Sequence, residues 1–178
     1  MKQIAMYDWA GNSVETWTAS AHSLFAAAGV LRRARDIASA VPLNIDDPVP
    51  DDALTHPAEI MLRGYAVECL LKGLWVKRGN RLALSGILQK ILGVGSHNLV
   101  QLADKLACKC TPAERDVLKR LSLFMTSAGR YPIPTDWTQT KIQRTLGGGK
   151  GPPAYWQSPS DDDACASIVA RVEAELNK

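Results

Sequence analysis

Glu59 to Gly79, EIMLRGYAVECLLKGLWVKRG, is the segment with the strongest helical pattern in the chain. Its side chains fall on two adjoining stripes with steps of three and four residues, and a face of this width is typical of a central helix in a bundle. The first stripe consists of Ile60, Gly64, Val67, Leu71 and Leu74, and the second of Met61, Tyr65, Glu68, Lys72 and Trp75. The segment therefore predicts a buried helix that carries two charged side chains.

Glu68 and Lys72 are the charged residues on this face. Their spacing of four, with the glutamate first, suits a helix ion pair that contributes about 0.2–0.5 kcal/mol. Charges on an apolar face also need partners, and Arg130 or a ligand could supply one for Glu68. Both interpretations, a simple helix pair and a polar site, remain open from the spacing alone.

Composition and charge limit the class of protein. With 178 residues, 46% hydrophobic and 22% charged, the chain has the makeup of one globular domain with a terminal extension. The net charge of +3 permits a polyanionic partner without demanding one, because nucleic-acid binders usually cluster their charge. No apolar run approaches the about 20 residues of a membrane span, and the start, MKQIAMYDWAGNS, lacks the apolar core of a signal peptide. We therefore expect no membrane association and a cytoplasmic location.

The periodic segments predict an all-α fold, an up-and-down bundle of four to five helices. Residues 1–12 are interpreted as an N-terminal arm and 13–178 as a single helical domain. Ser13 suits the N-cap of a helix that continues to about Ala40. The proline-rich and aspartate-rich segment Val41 to Asp52 then predicts a loop before the central helix.

The second half of the chain adds shorter helices. The apolar content of Leu82 to Leu92 predicts a short helix, and another is expected from Leu99 to Leu106. Thr111-Pro112-Ala113-Glu114 has the pattern of a capping box that begins a longer helix. Residues 135–159 are rich in proline and glycine and predict a long irregular loop, after which three aspartates open the last helix.

Motifs for bound cofactors and metals are missing from the sequence. The run from Gly147 to Lys150 is followed by Gly151, whereas a P-loop needs serine or threonine there, after a strand. Cys108 and Cys110 form a lone C-x-C without a second ligand pair, and no H-x-x-x-H occurs. We therefore expect no metal and no cofactor, and four cysteines in the thiol form.

Three segments together resemble the HEPN family of small all-helical domains. They are Tyr65 to Leu74 in the central helix, His97-Asn98-Leu99-Val100-Gln101-Leu102 at a helix start, and Gly129-Arg130-Tyr131-Pro132 after the next helix. Ser96 stands where glycine is common in the family. The match covers roughly residues 58–134.

The resemblance implies a bundle of four or five helices that often forms a homodimer. Many HEPN proteins are metal-independent endoribonucleases with an R-x(4–6)-H motif, and others are inactive RNA-binding or scaffold modules. Many are encoded beside a minimal nucleotidyltransferase as a toxin–antitoxin pair. This chain departs from the nuclease pattern, because no histidine follows His97 and no histidine is separated from a preceding arginine by four to six residues.

The sequence therefore supports three hypotheses. In the first, a non-standard HEPN-like protein binds RNA or a nucleotide, within a toxin–antitoxin or defence system and with a nucleotidyltransferase-type antitoxin as a partner. In the second it is a non-catalytic dimeric interaction or scaffold module, and in the third a metal-independent endoribonuclease. The sequence does not settle whether it is an enzyme and identifies no catalytic residue. The candidate ligand-binding residues are Glu68, Lys72, His97, Arg130 and Tyr131.

Overall fold

The computed structural model describes residues 2–40, 51, 55–128, 138, 141–144, 150–153 and 161–178. Within these ranges the chain forms six α-helices, which confirms the prediction of an all-α fold. They are α1 (Lys2–Gly11), α2 (Val14–Ser39), α3 (His56–Lys77), α4 (Leu99–Lys105), α5 (Pro112–Leu123) and α6 (Asp161–Leu176). Helix α5 continues into a π-helical turn at Phe124–Ala128. None of the helices in the described part has both the length and the apolar character that a membrane crossing requires.

Two antiparallel strand pairs interrupt the helices. Strand β1 (Ala83–Leu84) pairs with β2 (Ile87–Leu88), and β3 (Ile142–Arg144) pairs with β4 (Lys150–Pro153). The second pair lies inside the segment 135–159, for which the sequence predicts an irregular loop. That part of the loop is therefore ordered by backbone pairing where the structure describes it.

Helix α3 is the centre of the bundle, as its two-stripe pattern predicts. Helix α2 packs along it, and α4, α5 and α6 also contact it. Its apolar side chains are almost fully buried, with Leu70 and Leu71 at 1% and 0% exposure. Burial of a side chain of this size stabilises the fold by about 1.5–3 kcal/mol. The glycines of α3 permit close packing inside the bundle, since Gly73 lies against Trp17 and Gly64 against Met125.

The helix starts follow the capping signals of the sequence. The Ser13 hydroxyl accepts a hydrogen bond from the Thr16 N–H at 3.1 Å and caps α2. Thr111 and Glu114 form the predicted capping box at the start of α5, with both hydrogen bonds present. These side chains satisfy backbone donors that the first turn leaves without partners.

Within residues 1–12, interpreted from the sequence as an N-terminal arm, Lys2–Gly11 forms helix α1. Contacts from distant residues hold it in place. The Asp8 carboxylate accepts hydrogen bonds from the N–H groups of Ser85 and Gly86, both at 2.8 Å. The Asn12 side chain donates to the Ala83 carbonyl at 2.8 Å and accepts from the Leu82 N–H at 2.7 Å.

The predicted short helix at Leu82 to Leu92 is wrong, because its first half forms the β1–β2 hairpin. Ser85 and Gly86 connect the strands with φ angles of +55° and +78°. Two successive positive φ angles are typical of the tight turns that match the twist of a hairpin and are incompatible with a continuing helix. The turn residues, rather than the apolar content, therefore determine the secondary structure of this segment.

Buried carboxylates join α6 to the rest of the bundle. Glu114 on α5 contacts Arg171 on α6 at 2.6 Å, and Asp161 on α6 contacts Arg120 on α5 at 2.5 Å. Each carboxylate is less than 5% exposed. A buried charge requires such a partner, so these pairs fix how α5 and α6 pack.

Candidate functional site

Glu68 lies at the centre of a charged cluster on α3. One carboxylate oxygen, Oε1, is 2.8 Å from Lys72 Nζ, and the other, Oε2, is 2.8 Å from His97 Nδ1. The Glu68 side chain is 10% exposed, compared with 21% for Lys72 and 29% for His97. The predicted helix pair is thus present, and its additional partner in the described part of the chain is a histidine.

The backbone conformation just before α4 positions the His97 side chain. Its φ is +56°, in the left-handed region that residues other than glycine seldom adopt. This conformation costs about 1 kcal/mol or more, so the surrounding structure must stabilise it. Asn98 follows as the N-cap of α4, accepting from the Gln101 N–H at 3.0 Å. The His97 and Tyr65 rings pack in a T-shaped arrangement, with centroids 5.3 Å apart.

Lys72 is fixed by helix α2 as well as by Glu68. Its Nζ lies 5.4 Å from the centre of the Trp17 ring, within the range of a cation–π interaction. The Trp17 indole N–H donates to the Gly11 carbonyl at 2.9 Å, which orients the ring. The cluster therefore connects α2, α3 and the segment before α4.

A groove of about 500 Å³ opens beside the cluster, within the range of small-molecule sites, about 300–1,000 Å³. It runs between α3, α4 and the segment that includes β2. Glu68, Lys72 and His97 line it together with other polar residues and with an apolar wall. The further polar residues are Gln89, Lys90, Ser96 and Asn98, and the apolar residues are Leu88, Ile91, Val94, Leu99 and Leu102.

The Glu68–His97 contact gives the histidine a defined chemical role. A carboxylate at Nδ1 favours the tautomer with hydrogen on that nitrogen and leaves Nε2 as an acceptor. Among the described residues, Nε2 has no hydrogen-bond partner. His97 can therefore accept a proton or a hydrogen bond from a molecule in the groove.

The structure brings three of the five predicted site residues together: Glu68, Lys72 and His97. Arg130 and Tyr131 lie outside the described residues, so their place in the groove stays a prediction. The sequence did not predict the wall from Leu88 to Val94, because the apolar content of Leu82 to Leu92 indicated a short helix there. It also did not predict Trp17, which carries no signal for contact with Lys72.

The other two histidines have structural contacts. His22 is exposed on α2 and faces Glu173 at 3.1 Å. His56 lies at the start of α3, where Nδ1 is 2.6 Å from Arg35 Nη1, and Arg35 also pairs with the buried Glu59. Neither histidine is among the residues that line the groove.

The cysteines are all free. Burial raises the pKa of Cys69, Cys108 and Cys165 to about 11, so these thiols stay protonated at neutral pH. Burial also raises the pKa of Cys110. A protonated thiol is a poor nucleophile. Within the described ranges, no group of three or more His, Cys, Asp or Glu side chains could hold a metal ion.

The fold and the site define an all-α bundle with a polar groove at one side of its central helix. Searches of protein-family models, of curated proteins and of solved structures find no match to this chain. The HEPN resemblance therefore depends on its three motifs, of which the first two supply Glu68, Lys72 and His97.

Proposed function

We propose that the protein is HEPN-like and binds RNA or a nucleotide in this groove. The observation that carries the proposal is the placement of Glu68, Lys72 and His97, drawn from two of the three family-like motifs, at one open groove of about 500 Å³. The resemblance adds a role for Arg130 in contacting phosphate, and for Tyr131 beside it. It also adds a nucleotidyltransferase-type antitoxin as a partner, in a toxin–antitoxin or defence system.

The chemistry of the groove suits a nucleotide. Leu88, Ile91 and Val94 provide an apolar wall for the face of a base. Lys72 and the exposed Lys90 provide ammonium groups for phosphate oxygens, which lysine binds as a point charge. Asn98 carries an amide that can both donate to and accept from a base edge or a ribose hydroxyl.

The alternative is an interaction or scaffold module in which the cluster is only a structural ion network. Two observations favour a ligand site over this alternative. The cluster borders open space, and His97 Nε2 has no hydrogen-bond partner among the described residues.

His97→Gln is expected to weaken binding of RNA or nucleotide by about tenfold, because it removes the imidazole while keeping a polar side chain of similar reach. Fluorescence anisotropy with a short labelled single-stranded RNA and with a fluorescent adenine nucleotide would measure the dissociation constants at two salt concentrations. His22→Gln is the matched control, since it removes the exposed histidine–glutamate pair on α2.

Thermal unfolding of both variants separates binding from stability. The proposal requires that His97→Gln weaken binding at a temperature where the variant is fully folded, while His22→Gln binds like the wild type. Equal affinity of wild type and His97→Gln, together with a lowered Tm, would instead support the structural network.

A second function, metal-independent RNA cleavage, is favoured by one specific observation, the 2.8 Å contact between Glu68 and His97 Nδ1. A carboxylate that orients an imidazole is a recurrent device for general base catalysis. His97 Nε2 would accept the proton of a ribose 2′-OH while O2′ attacks the adjacent phosphorus. The P–O5′ bond would break, the proton would pass from the imidazolium to O5′, and the products would be a 2′,3′-cyclic phosphate and a 5′-hydroxyl.

This second function predicts RNA cleavage in the presence of EDTA. Loss of a general base typically lowers the rate by about 10²–10⁴-fold, so His97→Ala should remove the activity and His22→Ala should retain it. Denaturing gels with labelled structured and single-stranded RNAs would detect the products. If the wild-type protein cleaves none of these RNAs, the catalytic function is wrong and the binding function stands on its own test.

A further inference from the structure

Asn12 links helix α1 to the part of the chain that leads into the groove. Its side-chain N–H groups donate to the carbonyls of Asp8 and Ala83 at 2.7 and 2.8 Å. Its side-chain oxygen accepts from the N–H groups of Leu82 and Ala83 at 2.7 and 3.2 Å. The amide thus uses two donors and two acceptor positions at once, which no other side chain of this length can do.

Leu82 connects Asn12 with the wall of the groove. Its N–H donates to Asn12, and its carbonyl accepts from the Gln89 N–H at 2.7 Å, which extends the ladder of the β1–β2 hairpin by one pair. Gln89 lines the groove, in the wall from Leu88 to Val94. The start of the wall is therefore tied to Asn12 through a single peptide unit.

Gly11, the residue before Asn12, supports a second part of the groove. Its carbonyl accepts from the Trp17 indole N–H at 2.9 Å, and the Trp17 ring lies 5.4 Å from Lys72 Nζ. A Cβ on Gly11 would lie 2.5 Å from the Ala83 Cβ, so close packing against the hairpin restricts this backbone as well. The placement of Lys72 thus depends on the same junction as the placement of the wall.

Asn12 differs in this respect from Asp8, a second residue that attaches α1 to the hairpin. The Asp8 carboxylate accepts from the N–H groups of Ser85 and Gly86, which form the hairpin turn. Neither turn residue lines the groove. Because α1 buries no residue, its position depends on such anchors. The end of the hairpin that Asn12 holds is the one that continues into the groove wall.

We propose that Asn12 is a positioning residue for the groove. It fixes the wall through Gln89 and Lys72 through Gly11 and Trp17, so that both are in place before a ligand arrives. A site that must order its contacts during binding loses affinity, because the ordering costs free energy. The proposal rests on the proposed function for the nature of the ligand, whereas the positioning itself can be measured without one.

Asn12→Ala in the full chain tests the proposal. Fluorescence anisotropy with a short labelled single-stranded RNA and with a fluorescent adenine nucleotide should give a dissociation constant raised by about fivefold or more. Asp8→Ala is the matched control, because it removes two hydrogen bonds between α1 and the hairpin but leaves the side-chain contacts of Asn12 in place. Circular dichroism establishes that each variant is folded at the temperature of the measurement.

Weaker binding by Asn12→Ala, with affinity close to wild type in Asp8→Ala, supports the proposal. Wild-type affinity in Asn12→Ala overturns it. An equal loss in both variants also overturns it, because the general attachment of α1 would then explain the effect.

Trp17→Phe tests the connection to Lys72 and decides the matter if Asn12→Ala does not fold. The variant keeps an aromatic ring but lacks the N–H that the Gly11 carbonyl accepts. The slope of log affinity for the RNA against log salt concentration should become shallower by up to about 0.7, the contribution of one phosphate contact on a single strand. A shallower slope supports the role of this junction, and an unchanged slope overturns it.

Hydrogen exchange of the ligand-free protein separates this proposal from the proposed function. Followed by NMR, the Gln89 N–H should exchange faster in Asn12→Ala than in the wild type or in Asp8→Ala, because its acceptor Leu82 is no longer held. If the wild type binds neither probe, the proposed function is wrong, while faster exchange still supports the positioning role of Asn12. Unchanged exchange overturns that role whether or not a ligand binds.

Discussion

Arg171→Ala is expected to lower the free energy of unfolding by about 2–3 kcal/mol. The guanidinium contacts both oxygens of the Glu114 carboxylate, at 2.6 and 3.0 Å, and donates to the Lys109 carbonyl at 2.6 Å. Without it, a carboxylate that is 3% exposed would remain buried with only its hydrogen bonds from Ser167 and the Thr111 N–H. Because those two bonds remain and Arg171 is partly exposed, the loss in free energy of unfolding is smaller than for a buried charge without any partner.

Urea unfolding of wild type and variant measures this difference, and Arg115→Ala provides the control. Arg115 also donates two hydrogen bonds to a carboxylate, that of Asp104, at 2.5 and 2.9 Å, but both side chains are on the surface. Exposed pairs contribute little, so the control should unfold at the wild-type midpoint. Equal effects of the two substitutions would show that burial of Glu114 is not what gives the Arg171 pair its importance.

The stability that the Glu114–Arg171 pair contributes also depends on pH. Burial by itself raises the pKa of Glu114, but the hydrogen bonds from Arg171, the Thr111 N–H and Ser167 together outweigh it and lower the pKa to about 2 from its ordinary value of 4.5. A carboxylate whose folded pKa is depressed stabilises the fold above its unfolded pKa. Its contribution, about 3 kcal/mol at neutral pH, is lost as the pH falls from 4.5 towards 2.

Glu114→Gln isolates this contribution from that of other carboxylates. The variant should be less stable than the wild type at pH 7, and the difference should shrink as the pH is lowered from about 5 to 2. A difference that stays constant over this range would mean that Glu114 titrates normally in the folded protein.

The core of the fold could be predicted from local signals. Helices α2, α3 and α5 have a regular apolar period, and their starts have side chains that cap them, such as Ser13 and Thr111. Helix α1 could not be predicted in this way, because it buries no residue and its position depends on hydrogen bonds to Ser85 and Gly86. Contacts across more than seventy residues leave no periodic trace in the sequence.

The site could be predicted only in part. Glu68 and Lys72 could be predicted as site residues because their charges interrupt an apolar stripe of the helix. The motif resemblance identified His97 as a candidate site residue. Its left-handed backbone and its contact with Glu68 depend on the segment before α4 and could not be predicted. The groove wall could not be predicted from the sequence. Its residues follow the β1–β2 hairpin, whereas the apolar content of Leu82 to Leu92 indicates a helix.

Gly64→Ala tests the packing at the centre of the bundle and is expected to destabilise the protein by about 1–2 kcal/mol. A Cβ at this position would lie 2.6 Å from Met125 Cγ and Sδ and 3.2 Å from the Leu121 carbonyl oxygen. Met125 is fully buried, so its side chain can move aside only against other side chains of the close-packed core. The overlap must therefore exceed the gain of up to about 1 kcal/mol that alanine brings to a helix interior.

Gly29→Ala separates the two contributions, because Gly29 also lies within a helix but its Cβ would meet only Arg33 Nη1, at an ordinary 3.5 Å. This control should be as stable as the wild type or more stable by up to about 1 kcal/mol. A double-mutant cycle with Met125→Ala identifies the clash directly, because Gly64→Ala should cost less once the methionine is removed. If the cost of Gly64→Ala is the same with and without Met125, the close contact between α3 and the π-helical turn is not what requires glycine at this position.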